Sequence, residues 1–171
     1  MKIKFKKTAS FSLLLLILII PLTISANTAD KQNINRSQVG EINYTEIIDN
    51  YLTASAKTLI KNSTMEDIEN VLSFYEPSYS YEHVKFGIKV EGIDKVKDGK
   101  VSHIQDYQGD SSNSGIEKKN QILGYNCAAV EFIEKFWVND KNDQLEKIER
   151  TKIFFISFNG NKIKEIKDLS N

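Results

Sequence analysis

Two glutamates and several tyrosines are the residues of this chain best suited to acid–base chemistry. Glu131 and Glu134 stand in an apolar stretch, and the tyrosines of interest are Tyr51, Tyr79, Tyr81 and Tyr125. A carboxylate that faces a pocket can take a proton from a bound molecule, and a tyrosine hydroxyl can donate one. The alternative, which the sequence favours, is that both glutamates face water and pair with Lys135 while the tyrosines pack at a rim.

The chain has few residues suited to metal binding or to nucleophilic catalysis. The histidines are His83 and His103, which form no H-x-x-H or H-E-x-x-H motif, and Cys127 is the one cysteine. Tetrahedral zinc usually takes four protein ligands, so we expect no metal and no other cofactor. Cys127 with a histidine would make a nucleophile–base pair, but its neighbours Ala128 and Ala129 indicate a small buried side chain instead. We therefore predict that the chain is not an enzyme.

An aromatic run surrounds Pro77 and consists of Phe74, Tyr75, Tyr79 and Tyr81. Such a run can contact a partner or a glycan, or it can close one end of a small core. The chain holds one tryptophan, Trp137. We assign ligand or partner binding to Tyr79, Tyr81, Glu131 and Trp137, and we assign no residue to catalysis or to metal binding.

The first 26 residues have the order of a secretion signal. Four lysines and no acid precede an unbroken run of Leu and Ile from Leu13 to Ile20, and Pro21 and small residues follow. This order predicts a signal peptide over 1–26, and the polar stretch 27–41 predicts a flexible leader. An uncleaved anchor is the alternative, although a spanning helix needs roughly 20 apolar residues. We expect a secreted protein or one on the outer face of the cell envelope, in contact with the membrane only if the signal stays uncleaved.

The charge balance argues against nucleic acid as a partner. The chain has 23 basic and 23 acidic residues, and because the signal holds four lysines and no acid, the remainder carries an acidic excess. A nucleic-acid-binding domain usually has a basic excess. A single cysteine also allows no internal disulfide.

The first elements have helical periodicity. Apolar residues at helical spacing predict a helix over about 44–61 and a shorter second helix that ends before Pro77. Each N-terminus carries a capping-box pair, namely Asn43 with Glu46 and Ser63 with Glu66.

After Pro77 the periodicity changes to that of strands. Alternation predicts a strand over 84–90, and Asp98-Gly99 predicts a hairpin turn. Residues 125–138 suit a helix or a strand, and their aromatic and β-branched content favours the strand. A long strand over 146–158 and a hairpin at Asn159-Gly160, returning over 162–167, complete the chain.

Helices followed by an antiparallel meander indicate an α+β domain over 42–171. The long helix, the short helix and the strands that close on "FISFNGNKIKEI" resemble the cystatin-like superfamily of nuclear transport factor 2. More narrowly, residues 42–169 resemble extracytoplasmic domains of Gram-positive bacteria, some of which precede a cell-wall amidase domain. The resemblance implies a cone in which the two helices pack on a curved antiparallel sheet. It also implies a pocket, because ketosteroid isomerase uses a buried Asp with a Tyr in such a cone.

Two functions compete at this point. The favoured one is an exported, non-catalytic module that binds a protein or a cell-wall component outside the cytoplasm and can form a homodimer. The alternative is a small-ligand carrier or an acid–base enzyme that uses the cone. An exposed apolar sheet face would favour the first, and a pocket with convergent polar groups would favour the second.

Overall fold

A computed structural model describes residues 42–171, which form three helices and one six-stranded sheet. The helices are α1 (Tyr44–Lys57), α2 (Met65–Leu72) and α3 (Ile93–His103). The strands are β1 (Tyr75–His83), β2 (Ile88–Glu91), β3 (Gly115–Gly124), β4 (Cys127–Asn139), β5 (Leu145–Asn159) and β6 (Lys162–Asp168). The predicted signal peptide 1–26 and leader 27–41 lie outside the described residues. Across the described range, every helix is too short or too polar to cross a membrane.

The first two helices start close to where their capping residues indicate. The Asn43 side chain accepts a hydrogen bond from the Glu46 backbone at 3.2 Å, as predicted. The box that starts α2 lies one residue beyond the predicted pair and joins Thr64 to Asp67. Ser63 is unsuited to that role because its hydroxyl donates to backbone carbonyls at the end of α1.

Two predictions in the middle of the chain are wrong. Residues 84–90 do not form one strand, because a short 3-10 turn and Gly87, with a φ of 62°, return the chain as β2. Asp98-Gly99 lies inside α3 and makes no hairpin. Ile93 and Val96 of that helix pack on the hydrophobic core, and this tertiary contact outweighs the local turn preference.

The sheet has the order β2-β1-β6-β5-β4-β3. The sequence predicted an antiparallel sheet, and all neighbours are antiparallel except β1 and β6, which pair in parallel. β1 and β6 are neighbours in the sheet but are the first and last strands in the chain, so a long connection, which parallel pairing requires, joins them in place of a hairpin. The contested segment forms strand β4, as predicted, and the hairpin at Asn159-Gly160 is confirmed, with Gly160 at a φ of 59°.

Every second side chain of β4 and β5 points into the cone and fills its inside. Ala128, Val130 and Phe132 point inward from β4, and Phe154, Ile156 and Phe158 point inward from β5. These side chains pack against α1 and α2 in one cluster. The same inward rows continue beyond Phe132 and Phe154 with charged residues, Glu134 on β4 and Lys152 and Arg150 on β5. A band of charged side chains therefore interrupts the apolar inner face, which resumes at Phe136 on β4.

Candidate functional site

A cavity of about 420 Å³ lies between the inner face of the sheet and helices α1 and α3. Its apolar wall includes Leu52, Leu59, Val96, Ile116, Phe132 and Phe154. A concave site of this volume, lined mainly by apolar side chains with a few polar groups, is typical of small-molecule binding.

One face of α3 forms part of the wall. Val96, Gly99, Lys100 and His103 recur at helical spacing and line the cavity together. The Lys100 side chain is half-buried and, within residues 42–171, makes no side-chain hydrogen bond or ion pair. Burial lowers the pKa of Lys100, although the negative charge of Glu134 acts in the opposite direction. The ammonium is therefore placed at the cavity without a counter-charge of its own.

Glu134 and Arg150 stand opposite each other on β4 and β5. Arg150 Nε donates to Glu134 Oε2 at 2.8 Å, and the Glu134 side chain is 13% exposed. The guanidinium carbon of Arg150 also lies 5.0 Å from the centre of the Phe136 ring, a cation–π contact. The second oxygen, Oε1, accepts no hydrogen bond from the described residues. The carboxylate thus lines the cavity with one oxygen held by Arg150 and the other without a partner among the described residues.

Three tyrosines form another part of the cavity wall. The Tyr75 hydroxyl donates to the Tyr51 hydroxyl at 3.2 Å, and the rings of Tyr75 and Tyr79 stack with centroids 3.8 Å apart. Burial raises the pKa of Tyr51 to about 12 and raises the pKa of Tyr75 and of Tyr79 as well. All three stay protonated near neutral pH, so they act as neutral hydroxyl donors.

A second charged cluster surrounds Asp168, which is 0% exposed. Lys152 Nζ and the Tyr81 hydroxyl donate to its Oδ2 at 2.6 and 2.9 Å, and the Ser170 backbone donates to Oδ1 at 2.9 Å. Burial acts to raise the pKa of Asp168, but these hydrogen bonds outweigh it and hold that pKa at about 2. His83 Nε2 lies 3.8 Å from Asp168 Oδ2. Because both oxygens are occupied, this carboxylate stabilises the fold and is poorly placed to react.

The structure brings two of the four predicted binding residues to the cavity. Tyr79 and Tyr81 line it, and Tyr79 is only 1% exposed, so it is not available as a surface contact. Glu131 and Trp137 alternate with the inward side chains of β4 and therefore lie on its other face. Glu131 accepts from the Asn120 amide there.

The expected pairing of both glutamates with Lys135 is wrong, since Lys135 contacts Glu117.

Lys100, Arg150 and His103 line the cavity and were not among the predicted site residues. Arg150 could have been found, because strand alternation places it in the same inward row as Lys152 and Phe154. Lys100 was hidden by the hairpin predicted at Asp98-Gly99. Among residues 42–171 there is also no group of three or more His, Cys, Asp or Glu side chains that could hold a metal ion.

No protein-family model matches the sequence, and no curated protein matches it significantly. Solved structures do match. A candidate SnoaL-like polyketide cyclase from Shewanella denitrificans has a TM-score of 0.61 at 8% identity, over 74% of this chain and 89% of that one. A hypothetical protein from Catenulispora acidiphila with a ketosteroid isomerase-like fold, solved with trimethylamine, has a TM-score of 0.58 at 10% identity, over 74% and 85%. An uncharacterised cystatin-fold protein from Novosphingobium aromaticivorans has a TM-score of 0.55 at 14% identity, over 75% and 99%.

These structures correct the prediction that the chain is not an enzyme. Proteins of this fold from two Shewanella species and from Xanthomonas campestris are candidate polyketide cyclases. A cone brings residues from distant strands and helices to one pocket, so the lack of a linear catalytic motif does not exclude catalysis. At these identities the likeness establishes the architecture and no particular reaction. The described residues therefore have the α+β cone fold of the cystatin-like, nuclear transport factor 2-like proteins.

Proposed function

We propose that this domain binds a small, mostly apolar molecule inside the cone and moves a proton on it, with Glu134 as the proton acceptor. The observation that carries the proposal is the Glu134 carboxylate at the wall of an apolar cavity of about 420 Å³. Arg150 binds Oε2 and fixes its orientation, while Oε1 stays open. A carboxylate held in this way can take a proton from a molecule bound within hydrogen-bond reach.

The tyrosine wall supplies the complementary donors. When a proton leaves a carbon next to a carbonyl, negative charge develops on the carbonyl oxygen, and a prepositioned hydroxyl donor stabilises it. Tyr51 lines the cavity, accepts from the Tyr75 hydroxyl and keeps its own proton, which it donates to no group among the described residues. Glu134 and Tyr51 both line the cavity, so one bound molecule can contact both.

Deuterium exchange tests the proton transfer directly. We would incubate 2-acetonaphthone, a two-ring methyl ketone, with the protein in D₂O and follow loss of its methyl protons by NMR. Glu134 would take a methyl proton to give an enolate, exchange that proton with solvent and return a deuteron to carbon. Glu134→Gln is expected to slow the catalysed exchange by about a hundredfold or more.

Glu131→Gln is the matched control, because Glu131 lies on the same strand but faces away from the cavity. We expect it to exchange at the wild-type rate. Wild-type exchange no faster than buffer alone would contradict the proposal, and so would an equal loss in both variants.

We propose further that the domain is exported to the envelope or medium of a Gram-positive bacterium, near the cell wall. The basic, apolar and small-residue order of 1–26 supports export, and the scarcity of proline and single cysteine agree with such a source. Intact masses of the protein from cell fractions test this. A shortened protein in the medium, starting near residue 26 or 27, is expected. Full-length protein in the membrane would make the apolar segment an anchor.

A second candidate function, pairing with another copy of this chain, is favoured by the outer sheet face. Ile122, Ala129 and Phe155 stand directly opposite one another on β3, β4 and β5. Ile122 is 73% and Phe155 37% exposed. An apolar row can bury itself against the same row of a second copy across a twofold axis. Light scattering should show a wild-type dimer and a Phe155→Lys monomer, and a wild-type monomer at every concentration would overturn this.

A further inference from the structure

We infer that the molecule bound in the cone is an amphiphilic anion, a ring-containing carboxylate or a group of equal charge, and that Lys100 binds its anionic end. The inference rests on the proposed small-molecule function of the cavity and names the class of ligand. It follows from the position of one cation, from the charges around it and from the apolar remainder of the wall.

Lys100 differs from the other buried or half-buried lysines in having no acidic partner. Lys97, on the same helix, pairs with Glu69, Lys118 pairs with Asp49, and Lys152 pairs with Asp168. In the part of the chain that the structure describes, the Lys100 ammonium has no carboxylate within ion-pair distance. An ammonium partly removed from water without a counter-charge costs free energy, and a ligand anion would offset that cost.

The charges on the cavity wall have a positive excess. Lys95, Lys100 and Arg150 line it against a single acid, Glu134. Arg150 already pairs with that acid, so Glu134 leaves Lys100 unmatched. His103 brings no acid to the cavity, because Asp106, whose Oδ2 lies 3.1 Å from His103 Nδ1, does not line the wall. A negatively charged ligand is thus favoured over a neutral or positive one.

The apolar part of the wall fits a hydrocarbon body, beside the tyrosines already described. Leu52 and Leu59 from α1 and its C-terminal turn face Phe132 and Phe154 of the sheet, and none of these side chains offers a hydrogen bond. The volume of about 420 Å³ accommodates a small multi-ring molecule. Lys100 on α3 and Glu134 on β4 would then act on different parts of the ligand, one as anchor and one as proton acceptor.

A matched pair of neutral and anionic probes tests the inference. We would measure binding of 2-naphthoate and of 2-naphthamide by calorimetry to the wild type, to Lys100→Met and to Lys97→Met. The wild type is expected to bind the carboxylate about ten- to a hundredfold tighter than the amide, the range of one charge-assisted hydrogen bond. Lys100→Met should lose that preference and bind the amide as before. Lys97→Met, the control on the same helix, should keep it.

The possible results separate the inference from the proposed function. Equal wild-type affinity for the two probes would overturn the inference and leave the cavity as a small-molecule site. Failure of the wild type to bind either probe would overturn both. A preference retained in Lys100→Met would assign the anion to Arg150 or Lys95 and overturn the role of Lys100. Binding of 2-naphthamide shows that a variant is folded. If Lys100→Met does not fold, Lys100→Gln replaces it in the test.

Discussion

Two acid–base pairs face the inside of the cone, and they differ in how completely their atoms are satisfied. Asp168 is fully buried and accepts from Lys152, Tyr81 and Ser170, so both of its oxygens are occupied. Glu134 is 13% exposed and lines a cavity, and it accepts from Arg150 on one oxygen while the other has no partner among the described residues. The comparison shows how position separates stabilising charges from reactive ones. A sealed carboxylate contributes to the fold, whereas one with a free oxygen beside a cavity is available to a ligand.

The largest expected effect is on stability at the sealed pair. Asp168→Asn leaves the Lys152 ammonium, whose side chain is 11% exposed, without its counter-charge. Losing one partner of a buried pair costs about 3–5 kcal/mol, and urea unfolding should show a loss of that size. Asp168→Leu combined with Lys152→Met removes both charges and should be more stable than Asp168→Asn. A loss below about 1 kcal/mol in the single variant would show that the pair is not sealed.

A smaller effect of the same pair depends on pH. The folded-state pKa of Asp168, about 2, lies below its ordinary value of 3.8, so the ionised form stabilises the fold above pH 4. That contribution, about 2 kcal/mol, should disappear as the pH falls from about 4 to 2. The groups facing the carboxylate are Lys152, Tyr81 and His83. Unfolding free energies of the wild type and Asp168→Asn should therefore converge over this range, and parallel curves would contradict the assignment.

The smallest expected effect on stability is at the cavity pair. Arg150 is 50% exposed, and ion pairs with one exposed partner contribute below about 1 kcal/mol. Glu134→Gln and Arg150→Gln should therefore unfold within that margin of the wild type in urea, while proton exchange in Glu134→Gln falls steeply. A stability loss as large as that of Asp168→Asn would remove the distinction between the two pairs.

Local patterns predicted much of the frame that carries these pairs. Strand alternation and aromatic content identified β4 and β5, and Asn159-Gly160 marked the hairpin to β6. Capping residues placed the starts of α1 and α2 to within one position. These features depend on neighbours a few residues apart, so the information for them is present in short windows of sequence.

The site itself was predicted less well. Tyr79 and Tyr81, chosen from their aromatic cluster, line the cavity. Glu131 was considered together with Glu134, although strand alternation puts them on opposite faces. Trp137 was chosen for its type and also lies on the outer face. Side-chain type marks a residue as able to bind, whereas its position on an inward or outward row decides what it can reach.

The sequence by itself determined the α+β class, the strands β4 and β5, and the succession of two helices before the sheet, because these follow from periodicity and turn residues within short windows. Only the tertiary structure decided that Asp98-Gly99 lies within a helix, that β1 pairs with β6 in parallel, and that Lys100 meets Glu134 at one cavity. Tyr81 and Asp168, which bond to each other, are 87 residues apart in the chain. Contacts of that range depend on how whole elements pack, and packing is a property of the folded chain that no local window contains.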